Sequence, residues 1–243
     1  MRRCIELKGQ KPRISIIVPA LNEGAIIDGL LDDLQLARAS GHEVVLVDGG
    51  SEDDTRARAE GKVDLLLQNR AGRARQMNRG ARESSGRWLW FLHADSSLPA
   101  DWLQQIEAAC GSDTGQWGVF AVRLDNPRWP YRVIAWFMNR RSCLTRIATG
   151  DQGIFVRREL FFAHNGYADL PLMEDIDLSR RLKEFEPCCL QGPLGTSARR
   201  WEEQGILRTV FRMWSLRLAF WLGISPRRLS RHYPQCSSPD TES

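Results

Sequence analysis

The stretch from Trp88 to Leu92 constrains the fold of this chain more than any other, because it contains five large apolar residues in succession. Such a run, without polar alternation, is typical of a strand that is covered on both faces, and such strands belong to mostly parallel sheets. The run ends abruptly in His93, Ala94 and Asp95. Since ligands of these sheets bind beyond the carboxyl ends of the strands, Asp95 lies where a ligand is expected. The alternative is that Asp95 and Ser96 only cap the helix that follows.

Three further apolar segments precede this run, and helical patterns separate them. The predicted strands are Ile14–Val18, Val44–Val47, Val63–Leu67 and Trp88–Leu92. The last of the intervening helices, over Arg73–Glu83, is polar and rich in arginine. This alternation predicts an α/β fold with a Rossmann-like, doubly wound and mostly parallel sheet flanked by helices. A length of 243 residues fits one compact domain with at most a small appendage.

Polar and charged residues recur at the same end of the predicted strands. Asn22 and Glu23 follow the first strand, Asp48 follows the second, the 70–75 segment follows the third, and Asp95 follows the fourth. Because the carboxyl ends of parallel strands meet at one edge of a sheet, one crevice can hold all of these groups. The polarity of loops in general explains each group singly, but it does not explain their recurrence at one end. The sequence therefore predicts a shared ligand site.

The basic residues point to an anionic ligand. The chain has 34 lysines and arginines, of which only Lys8, Lys11, Lys62 and Lys183 are lysines, and its formal net charge is +4. Arginine is favoured where phosphate or carboxylate is bound through planar, bidentate contacts. The alternative is a coding bias that scatters arginine over solvated faces. Nucleic acid is not expected as a partner.

Two common nucleotide-binding signatures are missing from the expected positions. Neither the G-x-G-x-x-G fingerprint nor the G-x-x-x-x-G-K-[ST] loop follows the first strand, which disfavours an NAD enzyme and a P-loop NTPase. A diphosphate can instead be neutralised by a divalent cation on Asp95, helped by arginines, since magnesium is commonly held by one or two carboxylates and substrate phosphates.

Four ordered motifs together resemble glycosyltransferase family 2, whose members are inverting enzymes of the GT-A fold that use nucleotide-activated sugars. The resemblance runs from about Ile14 to about Trp201. The motifs are Pro19-Ala20-Leu21-Asn22-Glu23, then Val47-Asp48-Gly49-Gly50-Ser51 with Asp53 and Thr55, then Gly72-Arg73-Ala74-Arg75-Gln76-Met77-Asn78, and His93-Ala94-Asp95. Small bacterial members with similar segments are named for arsenosugar biosynthesis. This name indicates the substrate more weakly than the motifs indicate the family.

The resemblance implies a donor site for a nucleotide sugar and a divalent cation, Mg²⁺ or Mn²⁺. Asp95 corresponds to the last carboxylate of the metal-binding D-x-D motif, whereas the first acidic position is His93, so the motif is half present. The implied donor-binding residues are Pro19, Ala20, Asn22, Glu23, Asp48, Arg73, Gln76, Ala94 and Asp95.

Glu174 and Asp175 open a clear helix whose apolar residues Leu178, Leu182 and Phe185 form one face. Asp175 begins that same inward face. Acids in a first turn can simply complement the helix dipole, which accounts for Glu174 better than for an acid on the buried side. The pair also resembles the E-D motif of the family, which implies that Asp175 is the catalytic base.

Further residues are implied on the acceptor or diphosphate side of the site. The set consists of Asp151, Gln152, Glu174, Arg200 and Trp201. Arg200 and Trp201 resemble the end of the Q-x-x-R-W motif of processive members, but Ser197 occupies the glutamine position. This departure argues against a processive polymerase.

The segment 206–224 is both apolar and rich in arginine. Its predicted stripe consists of Leu207, Val210, Phe211, Trp214, Leu218 and Trp221. A basic amphipathic helix can lie on an anionic membrane surface. Packing on the domain itself or in a homodimer is favoured here, because most such stripes are core. We therefore divide the chain into an extension (1–12), a GT-A domain (13–204), an amphipathic helix region (205–233) and a disordered tail (234–243).

Six cysteines without C-x-x-C spacing predict neither a zinc site nor a disulfide framework. Reduced thiols of a cytoplasmic protein are the simpler interpretation, with peripheral attachment to the inner membrane surface as an addition. No segment approaches the roughly 20 apolar residues of a membrane span.

The sequence as a whole predicts a non-processive, inverting glycosyltransferase that moves a sugar from a nucleotide diphosphate donor, with UDP favoured, to a hydroxyl acceptor. A non-catalytic module that binds nucleotide sugars or a membrane surface is the alternative from another class. A sugar-phosphate nucleotidyltransferase would need a glycine-rich basic loop after the first strand, and residues 19–23 do not supply one.

Overall fold

The computed structural model describes residues 13–112, 114–224 and 226. The predicted extension (1–12), the tail (234–243) and residues 227–233 of the predicted helix region lie outside the described residues.

Within the described residues, seven strands form a single sheet with the order β3-β2-β1-β4-β6-β5-β7. The strands are β1 (Ile14–Ala20), β2 (Glu43–Asp48), β3 (Leu65–Gln68), β4 (Trp88–Phe91), β5 (Trp117–Leu124), β6 (Phe155–Arg157) and β7 (Cys188–Thr196). Strand β6 runs antiparallel to β4 and β5, and the other neighbouring pairs are parallel. The predicted α/β architecture with a mostly parallel sheet is confirmed. Strand order reverses between β1 and β4, where ligands of such sheets bind.

Helices cover both faces of this sheet. They are α1 (Ile27–Asp33), α2 (Gln35–Ala39), α3 (Thr55–Ala59), α4 (Arg73–Glu83), α5 (Trp102–Gly111), α6 (Trp129–Thr145), α7 (Arg158–Ala163), α8 (Glu174–Arg181), α9 (Arg199–Gln204) and α10 (Ile206–Trp221), with a 3₁₀ turn at Gly150–Gln152. One apolar cluster lies between the sheet and α1, α2 and α5, and a second lies between the sheet and α4, α7 and α8.

Strand β4 explains why its sequence lacks polar alternation. Trp88 and Trp90 point into the first cluster, whereas Leu89 and Phe91 point into the second. All four are buried, and the indole N–H of Trp90 donates a hydrogen bond of 3.1 Å to the carbonyl of Gly153. The strand therefore stabilises both halves of the core while it carries the following loop to the edge of the sheet.

Strand β7 was not predicted, because Gly192 and Pro193 interrupt its apolar pattern. It lies at the edge of the sheet, where a proline without an N–H is tolerated. Its pairing with β5 is irregular between Phe120 and Val122, opposite this interruption.

The expectation that all cysteines are reduced is wrong for two of them. Cys143 on α6 and Cys189 on β7 form a disulfide, with Cα atoms 6.3 Å apart. The two are 46 residues apart in sequence, so no local spacing indicates the pair. Packing of α6 beside β5, the neighbour of β7, brings them together. Cys110 and Cys188 are free.

Helix α10 packs on the domain through a different face from the one predicted. Ile206, Val210 and Met213 contact a third cluster that contains Tyr131 and Trp201. Of the predicted stripe, only Val210 takes part in this contact. The other five members are exposed, so the first favoured alternative, packing of the stripe on its own domain, is wrong, and packing in a homodimer stays a prediction. Among the described helices, none combines the length and apolarity that a membrane crossing requires.

Candidate functional site

The loops after β1 and β2 are fastened to each other at the carboxyl edge of the sheet. The backbone N–H of Asn22 donates to the Ser51 hydroxyl at 2.9 Å, and that of Glu23 donates to the Thr55 hydroxyl at 2.8 Å. Asn22 adopts a left-handed conformation with φ of 54°, which asparagine tolerates better than most residues. The loops after β1 and β2, both predicted to bind the donor, therefore form one continuous wall of the crevice.

Asp48 lies at the base of this wall and is fully buried. Its carboxylate accepts hydrogen bonds of 3.1 Å from the backbone N–H groups of Gly50 and Ser51. Pro19 and Ala20 end β1 directly beside the end of β2. The Asp48 side chain thus shapes the turn that borders the crevice.

Gln76 joins helix α4 to the ends of the two strands. Its side-chain amide donates hydrogen bonds of 2.8 Å to the carbonyls of both Ala20 and Val47, and its oxygen accepts one from the N–H of Gly72 at 3.3 Å. Because Gln76 is buried and these bonds occupy its amide, the structure places it beneath the crevice and not in it. Gln76 therefore fixes the start of α4, and Arg73 is the first residue of that helix.

Four charged or titratable groups meet beyond the ends of β1 and β4. Burial raises the pKa of Glu23 and Asp95 raises it further, whereas Arg73 and His93 lower it. Arg73, His93 and Asp95 therefore lie within electrostatic range of the Glu23 carboxyl group. Asp95 is exposed, while Ala94 beside it is buried in the core. The loop after β4 therefore presents the Asp95 carboxylate to solvent from a rigid base.

A small pocket of about 10 Å³ lies beside the first turn of helix α8, and Asp175 lines it. Its lining includes Arg73, His93, Gly150, Tyr167, Glu174 and Asp175. One carboxylate oxygen of Asp175 accepts a hydrogen bond of 2.6 Å from the N–H of Gly150. The other accepts one of 2.7 Å from the N–H of Ile176. As expected from the sequence, Asp175 turns inward from the first turn of its helix.

The environment of Asp175 raises its pKa to about 6. Burial is the largest cause, followed by the negative charge of Glu174, while the hydrogen bonds from Gly150 and Ile176 act in the opposite direction. A carboxylate with such a pKa is ionised at neutral pH but is a stronger base than an ordinary aspartate. Perturbed groups of this kind concentrate at functional sites.

Glu174 is the more buried member of the pair, with 5% of its surface exposed. Its carboxylate lies 3.7 Å from the guanidinium of Arg73. Complementing the helix dipole therefore does not account for its position. Through this ion pair, α8 is connected to the start of α4.

Asp151 and Gln152 lie on the same 3₁₀ turn but face different surroundings. The Asp151 carboxylate is 3.3 Å from the ring of His93 and is part of the charged edge. Gln152 is buried, and its side-chain oxygen accepts hydrogen bonds from the Ser142 hydroxyl at 2.6 Å and the Thr149 N–H at 3.2 Å. Gln152 therefore holds the turn against α6, and the structure does not bring its amide into the pocket.

Trp201 lies away from the pocket of Asp175. It is buried in the third apolar cluster and also lines a groove of about 730 Å³ between α6, α9 and α10. Arg200 lies beside it on α9. The structure thus separates this predicted pair from Asp151 and Glu174, with which the sequence analysis grouped it.

Two neighbours of Asp175 were not identified from the sequence as site residues. Tyr167 is buried, and its pKa lies well above the usual value because of burial and the charges of Asp175 and Glu174. Burial lowers the pKa of Arg141, and the charge of Asp175 opposes that shift. Among the described residues, the Nε of Arg141 is a buried nitrogen without a hydrogen-bond partner. Arg141 falls within a helix that has several arginines, so no local signal distinguishes it.

The donor set fits a divalent cation shared with a substrate better than a closed metal site. Within the part of the chain that the structure describes, no three His, Cys, Asp or Glu side chains form a cluster that could hold a metal ion. Asp95 is exposed at the crevice, with Glu23 near it. Magnesium is commonly held by one or two carboxylates together with substrate phosphates, and this set meets that requirement.

Comparison with known proteins identifies the family of this chain. A model of the family described as glycosyl transferase family 2 matches residues 15–163. A PGL/p-HBAD biosynthesis glycosyltransferase of Mycobacterium bovis is 34% identical over 163 residues, which cover 62% of this chain and 61% of the relative. The chain thus matches about three fifths of the length of this curated relative.

Solved structures share the fold at low sequence identity. The mannosyltransferase PcManGT from Pyrobaculum calidifontis, in complex with GDP-Man and Mn²⁺, has a TM-score of 0.60 and 21% identity, covering 94% of this chain and 67% of that one. Glucosyl-3-phosphoglycerate synthase from Mycobacterium tuberculosis, with Mn²⁺, UDP and glucosyl-3-phosphoglycerate, has a TM-score of 0.55 and 20% identity, covering 76% and 71%. The predicted GT-A type of fold is confirmed. Since the family model spans more than half of the chain and the fold agrees with it, the chain belongs to glycosyltransferase family 2.

Proposed function

We propose that this protein transfers a sugar from a nucleotide diphosphate sugar to a hydroxyl acceptor, with inversion at the anomeric carbon. The observation that carries the proposal is the position of Asp175. Its carboxylate, with a raised pKa, lines a small pocket together with Arg73 and His93, and both of these side chains also interact with Glu23 at the ligand crevice. A base and a nearby guanidinium group are what a single displacement of a diphosphate requires.

The donor nucleotide is assigned to the wall formed by the loops after β1 and β2. This wall is held by the hydrogen bonds of Asn22 and Glu23, and Asp48 shapes its base. A rigid wall lowers the entropy cost of holding the nucleotide and positions the anomeric carbon. UDP-sugars are the first donors to test, because the Mycobacterium tuberculosis synthase that shares the fold is described with UDP.

In the proposed reaction, the acceptor oxygen forms a bond to the anomeric carbon while the bond from that carbon to the β-phosphate oxygen breaks. The electron pair of the broken bond leaves with the nucleoside diphosphate. The acceptor proton passes to the carboxylate of Asp175. A single attack from the face opposite the leaving group inverts the anomeric configuration, so no covalent enzyme intermediate is needed.

The residues that would hold a divalent cation are Asp95 and, beside it, Glu23. A bound cation would neutralise charge on the diphosphate. Arg73 supports the leaving group from the protein side, because its guanidinium lies at the pocket and is half exposed. Ser197 in place of the glutamine of the processive motif supports transfer of one sugar per encounter.

A screen of UDP-, GDP- and TDP-sugars tests the proposal. Release of nucleoside diphosphate is measured with Mn²⁺ or Mg²⁺, first with water and then with alcohol acceptors. Asp175→Asn should lower turnover by about 10²- to 10⁴-fold, because a positioned base contributes a factor of that size. Donor binding, measured by calorimetry, should stay nearly unchanged.

Asp177→Asn is the matched control, since Asp177 lies on the same helix turn and pairs with Arg181 at 2.7 Å outside the pocket. Its turnover should resemble that of the wild type. Binding of nucleotide sugars without any turnover would overturn the proposal in favour of a binding module. Retention of the anomeric configuration in the product, observed by NMR, would overturn the inverting mechanism.

A further inference from the structure

Helices α10 and α6 both expose apolar side chains to solvent. On α10 these residues are spaced by four and three positions, which places them on one face. Their exposed fractions are 85% for Leu207, 77% for Phe211, 73% for Trp214, 57% for Leu218 and 72% for Trp221. On α6 the corresponding residues are Trp129, Val133, Trp136, Phe137 and Leu144, exposed by 42–73%. Large exposed apolar patches usually mark a surface that contacts a protein or a membrane.

This apolar surface, defined by the ten residues above, is not what attaches α10 to the domain. A neighbouring face of α10 packs through Ile206, Val210 and Met213 on the third apolar cluster, which also contains residues of α6. Near the other end of the helix, the Arg180 guanidinium of α8 lies 5.8 Å from the ring centre of Phe220. The helix is therefore held along its length while the aromatic face stays uncovered.

The charged residues within the two helices have one sign. Helix α10 contains Arg208, Arg212 and Arg217, and neither 206–224 nor 127–150 contains an aspartate or glutamate. Helix α6 adds three more arginines. Aromatic side chains flanked by arginines are typical of helices that lie in the interface of an anionic bilayer, where the rings enter the headgroup region and the guanidinium groups meet phosphates.

The groove between the two helices adds a second basic feature. Arg128 and Arg208 line it together with the rings of Tyr131 and Trp201. Glu202 also lines it, and its carboxylate accepts a hydrogen bond of 2.5 Å from the Asn126 amide. A groove of this composition accommodates a phosphate headgroup at the junction of the two exposed stripes.

We propose that α6 and α10 dock this protein on the surface of a bilayer that contains anionic phospholipids. Charge favours this occupant over a second copy of the chain. In a two-fold dimer the same surface meets itself, and neither α6 nor α10 supplies an acid to pair with the arginines of the other copy. An anionic bilayer neutralises these charges and covers the aromatic face in one step. Since α10 contacts α8, the helix that carries Asp175, docking also fixes the orientation of the crevice relative to the bilayer.

Sedimentation of the full chain with vesicles tests this proposal, and it does not depend on any enzymatic activity. Vesicles of phosphatidylcholine alone are compared with vesicles of phosphatidylcholine and phosphatidylglycerol in equal parts. Binding to the anionic vesicles should be stronger by about tenfold or more, because each surface arginine favours binding to an anionic leaflet. Added salt should weaken the attachment by screening.

Two variants distinguish binding through the apolar surface from non-specific adsorption to vesicles. Phe211→Ser combined with Trp214→Ser should lower the affinity for anionic vesicles by about tenfold or more, since two aromatic rings no longer enter the interface. Leu36→Ser is the matched control, because Leu36 is 51% exposed on α2, away from the surface, and this change should leave binding unaltered. All three proteins should have the same circular dichroism spectrum.

Equal sedimentation with neutral and anionic vesicles would overturn the proposal, as would wild-type binding by the double variant. A third outcome would also overturn it. In this outcome the wild type does not bind vesicles, and analytical ultracentrifugation finds that the wild type is a dimer and the double variant a monomer. The surface is then covered by a second copy of the chain.

Discussion

The carboxylate of Asp175 accepts a hydrogen bond of 2.6 Å from the backbone N–H of Gly150, and this contact joins the first turn of α8 to the 3₁₀ turn before β6. The residue at position 150 also has to be small, because the His93 ring lies close to it. A Cβ atom built on Gly150 would lie 2.7 Å from the His93 ring and 3.7 Å from the Asp175 carboxylate. The contact therefore positions the candidate base and the histidine of the half-present metal motif together.

Gly150→Ala should lower turnover by about 10²-fold, because the methyl group displaces His93 and a shift of about 1 Å near reacting groups has an effect of that size. The measurement is steady-state release of nucleoside diphosphate. Gly29→Ala on α1 is the control, since nothing lies within 4 Å of its added Cβ. That control should keep full turnover and gain about 0.5–1 kcal/mol of unfolding free energy from its higher helix propensity. Full activity of Gly150→Ala would contradict the assigned pocket.

The pH dependence of turnover should follow the ionisation of Asp175. A base acts in its deprotonated form, so kcat/KM should fall as the pH decreases through the raised pKa of about 6. Glu174→Gln removes a negative charge that raises this pKa. The acidic limb of the profile should therefore move to lower pH. An acidic limb that stays in place in Glu174→Gln, or that persists in Asp175→Asn, would assign the titration to another group, with Asp151 the next candidate.

Binding of UDP should depend on a divalent cation through Asp95. Calorimetric titration with and without Mn²⁺ should find that the metal strengthens wild-type binding by about tenfold or more, as expected for a cation that neutralises a diphosphate. Asp95→Asn should remove this gain. Asp101→Asn changes another exposed acid after the same strand and should behave as the wild type. The metal role of Asp95 is wrong if Mn²⁺ has the same effect on wild type and Asp95→Asn.

The disulfide between Cys143 and Cys189 should stabilise the fold. Cys189→Ser should lower the free energy of unfolding by about 2–4 kcal/mol, the typical contribution of a bridge that closes a long loop. Cys188→Ser, at the adjacent free thiol, should have a smaller effect. Urea unfolding monitored by circular dichroism gives both values, and dithiothreitol should abolish the difference between wild type and Cys189→Ser. If dithiothreitol leaves the wild type unchanged, the bridge contributes nothing to stability.

Much of this protein could be predicted from its sequence, because the relevant patterns are local. The apolar run ending at Leu92 required a strand covered on both faces, and the spacing of Leu178 and Leu182 turned Asp175 inward. The order of the four donor motifs indicated the family. Strand β7 escaped prediction, since Gly192 and Pro193 break its pattern and only pairing with β5 makes it a strand.

Tertiary structure alone decided which distant groups became neighbours. No pattern distinguishes Arg141 from the arginine before it, yet its charge interacts with that of Asp175. Cys143 and Cys189 meet only because α6 packs beside the edge of the sheet. The stripe of α10 is as apolar as a core face. It is exposed because the helix packs on the domain through Ile206, Val210 and Met213 instead. The physical reason is that periodicity determines which side chains share a face, whereas packing of elements far apart in sequence determines what that face contacts.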